Sequence, residues 1–369
     1  MPAPQRTTVL GRSSMRTAGV AITTAITTAI AAATTAATTG ACASTPPVPV
    51  VLDPPPPRIV APRKGPLRLL VLGDTGKGTD DQRRVLEAAR ATCAAEAGCH
   101  LGLLLGDNVY PNGLDDADDA RFATLVEGPY GSLGIPFLAV LGNHDYGAPI
   151  PTTLCGGLGL EERRAEAQIA AARRSVVRIP DRHWRMLVGD VELVGLDTQA
   201  LFFDDVPALA GALGYRDDAR RQDEQLRRWN AAPIGRVRIA LGHHPWRSAG
   251  PHGDAGHYEG IPLTGLVFSG GAIRQFLDAR VIGRFDLYLA GHDHGMQDAG
   301  DERGTALFVS GGGAEHKPHP ARSAVPFYAE SLGFLLVDVE GGRARVRIFG
   351  VPDEGAVSAR LLHERAVGR

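Results

Sequence analysis

Five times along this chain a short apolar run stops at a glycine and is followed at once by residues able to hold a metal or a phosphate. They are Gly73-Asp74, Gly106-Asp107-Asn108-Val109-Tyr110, Gly142-Asn143-His144-Asp145, Gly242-His243-His244 and Gly291-His292-Asp293-His294. The preceding runs, 67–72, 101–105, 135–141, 237–241 and 287–290, read as buried strands. In open α/β sheets ligands bind beyond the carboxyl ends of strands, where loops converge. Glycine there lets the backbone turn sharply and approach closely. One Gly-Asp pair is an ordinary turn after a strand. Five in order, with Asn-His-Asp and His-Asp-His among them, point instead to one site. His292 and His294, two apart at a strand end, would be presented in the same direction.

The rest of the pattern predicts the frame. A helix is expected over 79–97, opened by Asp80 and Asp81 and closed by Gly98, and a charged helix over 217–229. Residues 147–175 read as an insertion with a glycine turn and a charged helix, and 186–195 as a strand pair ending at Asp197. Further strands are expected over 307–309, 332–339 and 344–349. Strands alternate with helices first, and antiparallel-looking strands come last. This implies an α/β fold of two mixed β-sheets packed as a sandwich and flanked by helices.

Residues 1–43 differ in kind. Arg6, Arg12 and Arg16 form a basic head, and no acid precedes Asp53. Of the 23 residues from Thr17 to Thr39, 18 are Ala or Thr. That composition is expected of a signal peptide rather than a lipophilic span. Ala41-x-Ala43 fits signal-peptidase cleavage, while Gly40-Ala41-Cys42 fits a lipoprotein signal, which would leave a lipidated Cys42. The lone Cys followed by Ser44-Thr45-Pro46 favours the second. Either way the expected location is exported: periplasmic, cell-surface lipid-anchored or extracellular, with membrane attachment only through Cys42. Residues 44–66, with Pro54 to Pro57 consecutive, read as a stiff linker. Without residues 1–43 the 39 basic residues become 36 against 41 acids, a net charge of -5 with no basic stripe, which argues against nucleic acid. Cys93 and Cys99 could pair in an oxidising compartment or stay as two buried thiols; Cys155 has no evident partner if Cys42 is lipidated.

In this order, GDTG, GDNVY, GNHD, GHH and GHDH resemble the calcineurin-like metallophosphoesterases. The Tyr in GDNVY marks the purple acid phosphatase branch, and the pattern most resembles the small, tartrate-resistant type. Trp246-Arg247-Ser248, Ser310-Gly311-Gly312-Gly313 and Ser331-Leu332-Gly333-Phe334 agree further. The resemblance spans about 67–350, with 351–369 as an extension of the same domain. It implies a binuclear metal centre. Ferric iron would be held by Asp74, Asp107, Tyr110 and His294, and a divalent iron, zinc or manganese by the bridging Asp107, Asn143, His243 and His292. It also implies that His144 and His252 face the substrate and that Asp145 and Asp293 orient the histidines. One departure is His244, where the family usually has Tyr, a change bearing on substrate contacts but removing no ligand.

The donor chemistry agrees with this. Carboxylate, phenolate and amide oxygens are hard donors and imidazole suits iron and zinc. A tyrosine titrates near 10 when free, so a Tyr110 phenolate near neutral pH needs a strongly charged cation. Two metals can clamp a phosphate and acidify a water, so that a metal-bound hydroxide attacks in line without a Ser or Cys nucleophile. The expected function is an acid-phosphatase-like phosphomonoesterase acting on a small phosphate ester or a phosphoprotein. Competing readings are a phosphodiesterase or nucleotide phosphohydrolase with the same centre, and a catalytically silent binding protein on the same fold.

Overall fold

The computed structural model describes residues 62, 64–147, 161–205, 215–258 and 269–368. The expected signal peptide, Cys42, Cys155 and nearly all of the linker lie outside these residues. No helix among the described residues is long and apolar enough to cross a membrane.

Among the described residues, fourteen strands form two seven-stranded sheets. The first has the order β14-β13-β12-β1-β2-β3-β4. Its parallel half is β1 (Leu67–Leu72), β2 (Leu101–Leu105), β3 (Phe137–Val140) and β4 (Val177–Arg178). Its antiparallel half is β12 (Leu332–Glu340), β13 (Arg343–Val351) and β14 (Arg360–Val367). The second has the order β11-β9-β10-β8-β7-β6-β5. Here β6 (Val191–Gly195), β7 (Val237–Leu241), β8 (Leu287–Ala290) and β10 (Thr305–Ser310) run parallel. Antiparallel to them are β5 (Trp184–Val188) and β9 (Met296–Glu302), with β11 (Phe327–Ala329) antiparallel to β9 on the far edge.

Successive strand residues face opposite sides of a sheet. Leu67, Leu69 and Val71 of β1 therefore meet Val191, Leu193, Ile239 and Leu289 in the apolar layer between the sheets. Leu70 and Leu72 meet Val85, Leu86 and Ala89 of α1 (Asp80–Ala95) on the outer face. The second sheet is covered the same way by Leu226 and by Ile273, Phe276 and Leu277. These come from α4 (Tyr215–Ala231) and α5 (Gly271–Arg280), while α2 (Glu162–Ala172) covers the first sheet near β4 and α3 (Thr198–Phe202) follows β6. The layers are helix, sheet, sheet, helix, as expected. Thr79 caps α1 by accepting from Gln82 N (3.3 Å), and a disulfide joins Cys93 to Cys99 with Cα atoms 5.2 Å apart.

Strand direction places the site. The parallel strands β1, β2 and β3 of one sheet and β7 and β8 of the other end at one edge of the sandwich. Bonds tie the ends together: Asp74 N to Gly106 O (3.1 Å), Gly291 N to His243 O (3.0 Å), and Ser310 Oγ across the sheets to Val71 O (3.2 Å).

Candidate metal centre

The convergence demands glycine where backbones nearly touch. A Cβ on Gly142 would stand 2.2 Å from Asp107 Oδ1, and one on Gly291 would stand 2.6 Å from Asp74 Oδ2. Asp74, Asp107 and His292 themselves have positive φ of 58°, 53° and 72°. Such backbones cost energy and persist only where surroundings enforce them, typically at functional sites. Here His292 N donates to Asp74 Oδ2 (2.8 Å) and His144 N to Asp107 Oδ1 (2.8 Å), so ligand-type carboxylates also hold the neighbouring loops.

Two donor groups result. In the first, Tyr110 Oη lies 3.2 Å from Asp74 Oδ1, 3.0 Å from Asp107 Oδ2 and 3.2 Å from His294 Nε2. His294 Nε2 is 3.4 Å from Asp74 Oδ1. In the second, Asn143 Oδ1 lies 2.9 Å from His243 Nε2 and 3.1 Å from His292 Nδ1, and those two nitrogens are 3.2 Å apart. Asp107 Oδ2, already in the first group, is 3.4 Å from His243 Nε2 and joins the two. Asp74, Asp107 and His243 offer ligand atoms that all lie within 4.8 Å of one another. All seven side chains expected as ligands are thus gathered at one place.

These spacings suit a cation. Ligand atoms bonded at about 2.1 Å stand roughly 3.0–3.4 Å from one another around an ion, depending on the angle. The phenol of Tyr110 has one proton, yet two buried carboxylates compete for it, and a cation would relieve that excess of lone pairs. Burial, reinforced by the charges of Asp107 and Asp74, pushes Tyr110 well above its ordinary pKa. Burial also opposes a charge on His243, but Asp107 and Asp74 raise its pKa. For Asp107 burial again opposes the charge, and His243 and His144 hold the carboxyl below its usual range.

The two expected substrate histidines flank the donors. His144 lies against Tyr110, with ring centroids 4.3 Å apart, and His252 against His292, 4.4 Å apart. His144 Nδ1 bonds Pro111 O (2.7 Å), leaving Nε2 as its free end, 4.0 Å from Asp107 Oδ2.

Asp145 and Asp293 do not orient imidazoles. Asp145, fully buried, accepts from Gly142 N (2.8 Å), Asn108 N (2.9 Å), Val109 N (3.1 Å), Asn108 Nδ2 (3.0 Å) and Gln168 Nε2 (2.8 Å). It is the knot between the GDNVY and GNHD loops, and burial, with Asp107 nearby, pushes its pKa up to about 7. Asp293 accepts from the backbone N–H of His252 (2.8 Å), and on the His252 ring it acts by charge, against the burial that lowers that histidine's pKa. His244 also departs from expectation. It is buried behind the site, stacked on Phe202 with its Nδ1 2.8 Å from Thr198 Oγ1, and burial drives its pKa well down. Thr198, which no motif contains, also accepts from the backbones of His243 (3.3 Å) and His244 (3.2 Å) and so sets the GHH turn.

The model of the calcineurin-like phosphoesterase family matches residues 67–296. The chain belongs to this family. It is therefore a metallophosphoesterase, a hydrolase. Among curated relatives, purple acid phosphatase 17 of Arabidopsis thaliana is 27% identical, over 83% of this chain and 89% of that protein. Tartrate-resistant acid phosphatase type 5 of Rattus norvegicus is 30% identical, over 57% of this chain and 59% of that protein. Two solved structures share the fold. GAP50, the anchor in the inner membrane complex of Plasmodium, has a TM-score of 0.60 at 18% identity, covering 83% of this chain and 89% of its own. A purple acid phosphatase from yellow lupin (Lupinus luteus) seeds has a TM-score of 0.57 at 13% identity, covering 82% of this chain and 54% of its own.

Proposed function

We propose that this metallophosphoesterase is an acid-phosphatase-like phosphomonoesterase with a mixed two-metal centre. Ferric iron would be held by Asp74, Asp107, Tyr110 and His294, and divalent iron, zinc or manganese by Asp107, Asn143, His243 and His292. The reading rests chiefly on Asp107 Oδ2, a single oxygen 3.0 Å from Tyr110 Oη and 3.4 Å from His243 Nε2, placed to serve both donor groups. When bound, two such cations polarise phosphoryl oxygens and acidify a water molecule. Tyr110 favours a trivalent ion in the first position, because burial and two carboxylates otherwise keep its proton in place.

The chain's own residues supply the rest. His144 and His252 stand one beside each donor group, where they can bind phosphate oxygens and hand a proton to the departing alkoxide. The Pro111 carbonyl accepts from His144 Nδ1–H and so aims Nε2 into the site. The substrate this chemistry would serve is a small phosphate ester or a phosphoprotein side chain.

Metal analysis, a visible spectrum and a panel of phosphate monoesters and diesters test the proposal. Protein expressed with iron should hold two metals per chain and be coloured, and Y110F should bleach the band while retaining metal. Monoesters should turn over faster than diesters. A colourless iron-loaded protein removes the ferric assignment, and a preference for diesters removes the monoesterase.

A further inference from the structure

The first donor group has two neighbours that the strand-end pattern does not announce. Glu315, just past Ser310-Gly311-Gly312-Gly313, places Oε2 2.8 Å from His294 Nδ1. The same oxygen pairs with Lys77, whose Nζ stands 4.6 Å from the centroid of the Tyr110 ring. His294 thus has a carboxylate at Nδ1, while its Nε2 turns to Tyr110 Oη (3.2 Å) and Asp74 Oδ1 (3.4 Å). A rim ion pair by itself stabilises little. This one touches two of the four side chains expected to hold the first metal, from loops 238 residues apart.

We propose that Glu315 and Lys77 are positioning residues for the first metal: Glu315 fixes the ring of His294, and Lys77 sets the electron density on Tyr110. The inference rests on the reading that His294 and Tyr110 are ligands. A carboxylate on one ring nitrogen fixes the tautomer, aims the other nitrogen and strengthens it as a donor. An ammonium beside an aromatic ring stabilises that ring's electrons. In a tyrosinate–iron pair those electrons move toward the metal on excitation, so Lys77 raises the energy of the visible transition. The two residues therefore have separable signatures, affinity for one and colour for the other.

The test uses the full-length chain, loaded in parallel with iron and with zinc. In iron-loaded K77M both metals remain and the visible band moves to longer wavelength, by roughly 30 nm or on the order of 5% of the photon energy; K77R holds the band in place. In zinc titrations, E315A weakens one of the two binding steps by about 10–100-fold and spares the other. E315Q, whose amide oxygen can take the place of Oε2 beside His294 Nδ1, recovers most of that loss. An unmoved band in K77M overturns the role of Lys77, and equal zinc isotherms for E315A and wild type overturn that of Glu315. If iron-loaded wild type is colourless, the ferric reading and the Lys77 role fall together, and the zinc isotherms still decide Glu315.

Discussion

Replacing Asp145 with Asn tests whether the ligand loops are held in place by this one buried carboxylate. Oδ1 accepts from Asn108 N, Val109 N and Gln168 Nε2, and Oδ2 from Gly142 N and Asn108 Nδ2. An amide has one acceptor oxygen, so in either rotamer its NH2 faces at least two of these donors. Asn108 can turn its own amide to relieve one clash, but only by giving up its 2.8 Å bond to Val140 O. Burial and Asp107 push the Asp145 pKa up to about 7, so the group is only partly ionised near neutral pH. Each hydrogen bond lost leaves a buried donor facing the NH2 at a cost of about 1–3 kcal/mol, so losing two costs about 2–6 kcal/mol. Domains of this kind are stable by about 5–15 kcal/mol, so D145N should fold but open its loops easily. The loops it releases carry Asp107, Tyr110 and Asn143, so metal affinity should fall together with stability. Urea unfolding of the metal-free protein, paired with metal titration, measures both. D145N within about 0.5 kcal/mol of wild type, with unchanged metal affinity, would refute the reasoning.

Two further outcomes are expected. H144A and H252A should retain metal and lose about 10²–10⁴-fold more activity on alkyl than on aryl phosphates, because an alkoxide needs a proton donor and a nitrophenolate does not; equal losses on both classes, measured by steady-state kinetics, would remove the proton-donor role. Glu162 is pushed up to about 7 from 4.5 by burial, against the pull of Arg182, so the folded chain keeps its proton between those two values. Its stabilisation is complete below pH 4.5 and fades as pH rises through 7. Wild type should therefore lose up to about 3 kcal/mol relative to E162Q across that window, read as the difference between paired denaturant titrations. A difference that stays constant with pH contradicts the assignment.

The strand ends are legible in the amino-acid order because two local demands coincide there. An apolar run must be buried, and glycine must follow where chains come too close for a side chain. For β1, β2, β7 and β8 the expected limits are the observed ones. The strands β9 and β14 are not legible in this way. Met296–Glu302 carries three acids and Arg360–Val367 three charged residues and a histidine, and neither alternates cleanly. They are strands because they satisfy each other: His363 and Arg365 reach Asp298 at 2.9 and 3.0 Å across the sheets.

The same division runs through the site. The seven expected ligands can be named from sequence because all of them follow a glycine at one of five strand ends, and the family resemblance assigns their roles. Lys77, Thr198 and Glu315 cannot, since no local rule distinguishes them from other charged or polar loop residues. Nor does sequence assign Asp145 to the loop knot or His244 to the buried layer. Local chemistry determines which groups a strand end can present. Which groups meet is decided by where two seven-stranded sheets, packed face to face, bring distant loops together.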